Sequence, residues 1–141
     1  MAKKATNPKD AVGIKKVSMS CVSMPVIMEI ALGMMEGARK YGKHNYRVSG
    51  VRASVYIDAT MRHLMDWWEG MDIDPDSGLS HLSKAMSALH VLRDAMLNDK
   101  WTDDRPPKMK DQTWMKGMNE KAKEIVEKYP NGVEPFTEKS E

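Results

Sequence analysis

The sequence predicts an all-α fold, a small bundle of three core helices plus a C-terminal helix, and three observations predict it. Apolar residues recur at three- and four-residue spacing in four separate segments. No segment alternates apolar and polar residues as a half-buried strand does. Helix punctuation falls at the segment ends: Pro25 at a start, Gly42 and Gly70 at stops, and Pro130-Asn131-Gly132 after the last.

The 141 residues are enough for one core. Three short amphipathic helices bury little within one chain, so the sequence predicts a homo-oligomer, a dimer or tetramer. Fourteen methionines against one phenylalanine suit a plastic core or an interface. The 22 basic and 20 acidic residues leave a net charge of +2, which favours no partner by bulk electrostatics. No helix presents a basic face like a recognition helix, so direct nucleic-acid binding is not expected. Cys21 is the only cysteine, which excludes an intramolecular disulfide and a cysteine-cluster zinc site. No apolar run approaches the roughly 20 residues that span a bilayer, and Met1-Ala2-Lys3-Lys4 leads into polar residues. A cytoplasmic protein with no membrane association is the expectation.

Residues 1–22 lack helical periodicity and read as an extended basic arm. Asn7-Pro8-Lys9-Asp10 signals a turn, and Lys15-Lys16 offers charge to strap over an anionic ligand. Residues 23–107 read as the catalytic helical domain. Its first helix starts at Pro25 and ends before Gly42, with Ile27, Ile30, Ala31, Met34, Ala38 and Tyr41 as the buried stripe. Glu29, Gly33, Glu36, Gly37 and Lys40 share another face. A mid-helix glycine costs roughly 1 kcal/mol relative to alanine, so a partner helix or a ligand should approach that face closely.

A loop from Gly42 to Gly50 carries Lys43, His44, Asn45, Tyr46 and Arg47. The second helix runs from about Arg52 to Glu69, with Ile57, Met61, Leu64 and Trp68 apolar and Asp58, Arg62 and Glu69 opposite. Asp72, Asp74 and Asp76 fill the next loop, and Asp76 or Ser77 is the expected N-cap of the third helix. That helix has Leu82, Ala85, Met86, Leu89, Leu92 and Met96 as its core face, with His81 in its first turn. Residues 108–141 form a weaker amphipathic helix and a tail, with Met115, Met118, Ala122, Ile125 and Val126 apolar.

Carboxylates on two helical stripes, each beside glycine or a basic residue, suit a hard divalent cation with oxygen ligands. Phosphoryl transfer needs such charge neutralisation more than covalent chemistry. The metal candidates are Glu36, Asp58, Glu69, Asp72 and Asp74; periodicity alone does not rank them. Glu36, Glu69 and His81 are the catalytic candidates. Lys40, Asn45, Arg47, Arg62, Lys15 and Lys16 are the substrate-binding candidates, the cationic ones for phosphate oxygens. A solvated acidic face and local ion pairs are the duller alternatives. His63 falls away from the acidic stripe, which favours packing over catalysis as its role. No GxxxxGK[ST] loop, GxSxG elbow or HExxH helix occurs.

Several of these stretches together resemble a known family. They are Asn7-Pro8-Lys9-Asp10, Glu36-Gly37-Ala38-Arg39-Lys40-Tyr41-Gly42, Asn45-Tyr46-Arg47, Val51-Arg52-Ala53-Ser54, Arg62-His63, Asp74 through Leu82, and Thr102-Asp103-Asp104-Arg105-Pro106. Over roughly residues 7–107 the chain is similar to the phage dATP/dGTP diphosphohydrolases. The resemblance implies a MazG-like all-α pyrophosphohydrolase that is oligomeric and depends on Mg²⁺, or on Mn²⁺ or Co²⁺ in its place. It implies conversion of dGTP to dGMP and of dATP to dAMP with release of pyrophosphate. It also implies a place beside an adenylosuccinate-synthetase-like enzyme in the phage pathway that replaces adenine with 2-aminoadenine. The chain departs from the broader MazG-like pattern: it has no ExxE pair at the expected place, and its ExxD pair, Glu69 and Asp72, straddles a helix end. Two other readings compete. An HD-type triphosphohydrolase would need a His-Asp dipeptide, which is missing. A non-enzymatic regulatory or DNA-binding protein would use the basic arm and the four tryptophans.

Overall fold

The computed structural model describes residues 7–140. The expectations for Met1 to Lys4 and for the start of the arm lie outside the described residues. The chain divides into two compact units, Met1–Arg105 and Pro106–Glu141.

In the first unit, α1 (Pro8–Gly13), α2 (Met24–Tyr41), α3 (Ala53–Trp68) and α4 (His81–Leu97) follow in order. The arm departs from expectation: the turn expected at Asn7 to Asp10 is the start of α1, because the Asn7 side chain accepts from the Lys9 amide at 3.0 Å and Pro8 suits a first-turn position. A short 3₁₀ turn, Asn45–Arg47, follows α2, and His44 before it adopts a left-handed conformation with φ 67°.

Helix α4 is central and packs against both α2 and α3. This explains why His81, Ser83, Ala85 and Ser87 are all buried although they cover more than one face of a helix. A small cluster of Val51, Ala53, Leu92 and Ala95, with Tyr46, Tyr56, Val91, Met96 and Trp101 against it, closes one end. There β1 (Val51–Arg52) pairs in parallel with β2 (Trp101–Thr102). This ladder was not expected, being too short for a period-two pattern. Gly50 precedes it at φ +78°, where a Cβ would lie 3.1 Å from the Lys100 carbonyl oxygen. The glycine lets the Val51 amide reach that carbonyl at 2.9 Å.

The apolar stripes expected to form the core are placed differently. On α3 the side against α4 is Ala53, Tyr56, Thr60 and His63, whereas Ile57, Met61, Leu64 and Trp68 are exposed. Small and polar residues let the helices approach closely; Thr60 satisfies its hydroxyl on the Tyr56 carbonyl at 2.7 Å. The stripe Ile27, Ile30, Ala31, Met34, Ala38 and Tyr41 of α2 lines an open groove instead of a closed core. On α4, Leu89 of the expected core face is exposed.

In the second unit, α5 (Trp114–Lys128) follows a turn in which Asp111 accepts from Thr113, and Met115, Met118, Ile125 and Val126 are exposed. No described helix is long and apolar enough to cross a membrane.

Candidate active site

The site begins at the one buried residue of α2, Gly33. A Cβ there would lie 2.3 Å from Ser87 Oγ on α4, so only glycine permits this approach. Ser87 donates to the Ile30 or the Ser83 carbonyl, at 3.1 and 2.9 Å. One turn further along α2 and one turn back along α4, the same approach brings Glu36 to Lys84, with Nζ donating to Oε1 at 2.5 Å. Lys40, a turn beyond, stands 3.5 Å from Glu36 and 3.7 Å from Asp76. The Lys84 hydrogen bond chiefly, with Lys40 adding, holds the Glu36 carboxyl below its usual range against the opposing effect of burial. Ser83 donates to Glu29 at 2.6 Å.

Glu36, Lys40 and Lys84 lie on a groove of about 790 Å³ bounded by α2, the 3₁₀ turn, α3 and α4. Its other walls include Tyr41, His44, Asn45, Tyr46, Tyr56, His63 and His90. Gly37 also faces this space, with nothing within 4 Å of where its Cβ would be. Of the two glycines on the acidic stripe, one therefore meets a helix and the other a groove.

Behind His63 lies His81, 2% exposed, with the two Nδ1 atoms 2.8 Å apart. Among the described residues the buried His81 Nε2 has no hydrogen-bond partner, and the nearest carboxylate oxygen, Asp66 Oδ2, stands 3.8 Å away. Burial, with His81 and Lys84 adding to it, holds the His63 imidazole below its ordinary pKa; Asp74 and Asp66 oppose this. The loop before α4 is ordered by Asp74, which accepts from the Asp76 amide at 3.1 Å and from Ser77 Oγ at 2.8 Å. Burial raises the Asp74 pKa, but Ser77, the Asp76 amide and the two histidines outweigh it, so the carboxyl titrates below its usual range. The N-cap of α4 is Ser80, which accepts from the Leu82 amide at 3.1 Å, and not Asp76 or Ser77. The chain needs the residues from 74 to 79 to close the turn, so the helix starts later than local capping chemistry suggests.

The expected site residues divide sharply. Glu36, Lys40 and Asn45 come together on the groove. Arg47 is instead held by Asp94 through two hydrogen bonds of 3.0 and 2.9 Å, a bidentate pair that ties the 3₁₀ turn to α4. Arg62, Lys15 and Lys16 are exposed and line no part of the groove. His81 is too buried to touch a ligand and stands behind His63. Glu69 lies with Leu64, Met65 and Trp68 at a second, shallow pocket. Asp58 and Asp72 are exposed, and Asp74 is engaged within its turn. Among the described residues no three His, Cys, Asp or Glu side chains gather to hold a metal ion. The five acids therefore do not fit a magnesium ion as one set. Glu29, seven residues before Glu36, lies about 10.5 Å along the helix from it and does not complete the set.

Among the groove residues outside the expected set are Lys84 and His63. Lys84 had a signal: it is the only Lys, Arg, Asp or Glu between His81 and Leu92, in a stretch otherwise fit for a core. His63 had only its place in the Arg62-His63 stretch of the family resemblance; its pairing with His81 had no local signal, because that partner lies 18 residues on and across a helix pair.

A helical domain with a charged, open groove is thus the class that fold and site define. The chain belongs to the family described as dATP/dGTP diphosphohydrolase, N-terminal, whose model matches residues 6–105. It is similar to a curated relative named dATP/dGTP diphosphohydrolase, from Salmonella phage PMBT28, at 29% identity over 90 residues. That match covers 64% of this chain and 30% of the relative, so the matched stretch spans less than a third of that protein. No solved structure matches the chain.

Proposed function

We propose that the groove binds a purine deoxynucleoside triphosphate and hydrolyses it between its α- and β-phosphates. dGTP would give dGMP and dATP would give dAMP, each with pyrophosphate. The observation that carries this reading is the pairing of two lysines, Lys40 and Lys84, around Glu36, the one carboxylate that lines the groove among the described residues. Two cations on one carboxylate suit a highly charged polyphosphate, whose oxygens would take over lysine hydrogen bonds now made to Glu36. The tyrosines offer aromatic faces to a base. Asn45 offers both a donor and an acceptor for a purine edge. The family description supports the choice of a purine deoxynucleotide.

A divalent ion, magnesium or manganese or cobalt in its place, belongs to this proposal as the partner of the triphosphate. Magnesium is commonly held by one or two carboxylates together with substrate phosphates. Glu36 is the residue that would hold it, and the ion would neutralise phosphate charge. Lys84 and Lys40 keep the carboxylate ionised and ready for that role. The dGMP product suits a following amination step in the 2-aminoadenine pathway of a phage, in the host cytoplasm.

Incubation with each deoxynucleoside triphosphate, with and without Mg²⁺, followed by product analysis, tests the reading. Monophosphate and pyrophosphate from dGTP and dATP are expected, only with the metal. Tripolyphosphate as product would establish the HD-type reaction instead. No turnover of any of the four would leave a binding protein.

A further inference from the structure

We propose that His63 is the proton acceptor of the groove, held as its Nδ1–H tautomer by a relay that runs Asp66–His81–His63. The role as proton acceptor rests on the reading of the groove as a hydrolytic site, whereas the tautomer relay stands independently of that reading.

The two Nδ1 atoms stand 2.8 Å apart. Two neutral imidazoles at that distance share one hydrogen bond, so one Nδ1 carries the proton and the other accepts it. If His81 were the donor, its Nε2 would be a bare lone pair. That nitrogen is buried, has no hydrogen-bond partner among the described residues, and faces Asp66 Oδ2 at 3.8 Å. A lone pair set against a carboxylate is repelled, whereas an N–H is attracted. Asp66 is 56% exposed, so its side chain is free to close the remaining distance. The favoured arrangement places a proton on His81 Nε2 and leaves His81 Nδ1 as the acceptor. His63 Nδ1 then donates, and its Nε2 carries the lone pair. His63 lines the groove with Glu36 and Lys84 while His81 does not, so the proton-accepting nitrogen belongs to the groove residue.

The groups facing this pair act together. Asp66 comes from α3, Asp74 from the preceding loop, and Lys84 from α4 one turn after His81. Burial and the Lys84 charge hold the His63 imidazole below its ordinary pKa against the pull of Asp74 and Asp66, which favours its neutral form. A neutral imidazole is the form a general base requires. In the step itself the water oxygen bonds to the α-phosphorus while one water proton passes to His63 Nε2. The bond from the α-phosphorus to the bridging oxygen breaks, and its electron pair leaves with pyrophosphate. The imidazolium proton then passes to solvent. While His63 is charged, its Nδ1–H still donates to His81, whose opposite N–H faces Asp66, so the relay spreads the new charge toward a carboxylate.

The tautomers are read directly by ¹⁵N NMR of histidine-labelled protein at pH 7.5, without any turnover. His63 is expected as Nδ1–H and His81 as Nε2–H, and Asp66→Ala should return His63 to a mixture of both forms. A His63 that carries its proton on Nε2 overturns the relay. The catalytic part is read from kcat/KM against pH with dGTP and Mg²⁺, with circular dichroism as the folding check. His63→Gln is expected to lower kcat by about 10²- to 10⁴-fold and to abolish the acidic limb. Asp66→Ala is expected to lower kcat less and to shift that limb. A His63→Gln enzyme that is folded and keeps the wild-type kcat and acidic limb overturns the role of His63, while the proposed reaction stands. If no triphosphate is hydrolysed yet the tautomers are as stated, the reaction is wrong, the base role falls with it, and the relay remains.

Discussion

Glu36 illustrates how one residue's setting differs from its type. On a helical wheel it is one acid among several; in the fold it is the groove carboxylate that two lysines share. Glu36→Gln keeps the shape and removes the charge, so turnover of dGTP is expected to fall by about 10²-fold or more, with the far-ultraviolet spectrum unchanged. The same contact has a signature in stability. A carboxyl whose folded pKa lies below its unfolded value of 4.5 contributes stability that is fully present above pH 4.5. That contribution is lost as pH falls through the folded pKa. The midpoint of thermal unfolding should therefore drop on acidification below pH 4.5 more steeply in the wild type than in Glu36→Gln. Equal slopes would mean that the Lys84 contact contributes nothing to the fold.

At the scale of elements, the approach of α2 to α4 decides the site. Gly33 admits Ser87, and the Glu36–Lys84 pair follows one turn away on each helix. Gly33→Ala places a methyl 2.3 Å from Ser87 Oγ. Alanine gains up to about 1 kcal/mol of helix propensity, but overpacking costs about 1–3 kcal/mol, and the clash should prevail. Chemical denaturation is expected to show net destabilisation, and the double variant Gly33→Ala with Ser87→Gly should recover most of it. If the single variant is more stable than wild type, the helices are not held as closely as their contact implies. The loop before α4 is likewise decided by its own hydrogen bonds. Asp74 organises the turn and Ser80 caps the helix, so Ser80→Ala should cost about 1 kcal/mol, where a reading by position alone assigns that cost to Asp76.

For the whole molecule the decisive surface is the outer face of α3. Ile57, Met61 and Leu64 are exposed there, and Trp68 is 79% exposed. A stripe of large apolar residues along one helix marks an interaction surface, and a second copy of the chain is the expected occupant. Sedimentation velocity at micromolar concentration is expected to show a dimer or larger. Met61→Glu with Leu64→Glu should shift it to the monomer while the helical content stays constant. A wild-type monomer under those conditions would refute self-association through this face.

The sequence by itself determined the helices, because apolar spacing and the punctuation at Pro25, Gly42 and Gly70 act locally; α2 and α3 lie within a residue or two of where those signals place them. It also marked the stripe of Glu29, Gly33, Glu36, Gly37 and Lys40 as one that something must approach, since glycine in a helix is costly without a reason. Which side of α3 turns inward was decided only by the tertiary structure. Ala53 and Thr60 are buried on the side that meets α4, with Tyr56 and His63 half-buried beside them, while Ile57 and Trp68 stay exposed. The same holds for Lys84 and for the His63–His81 pair, whose members are distant in sequence and meet only when α4 is set between α2 and α3. Arg47 shows the converse: its motif reads as anion binding, but the charge is neutralised by Asp94, 47 residues away, and no local pattern announces that partner.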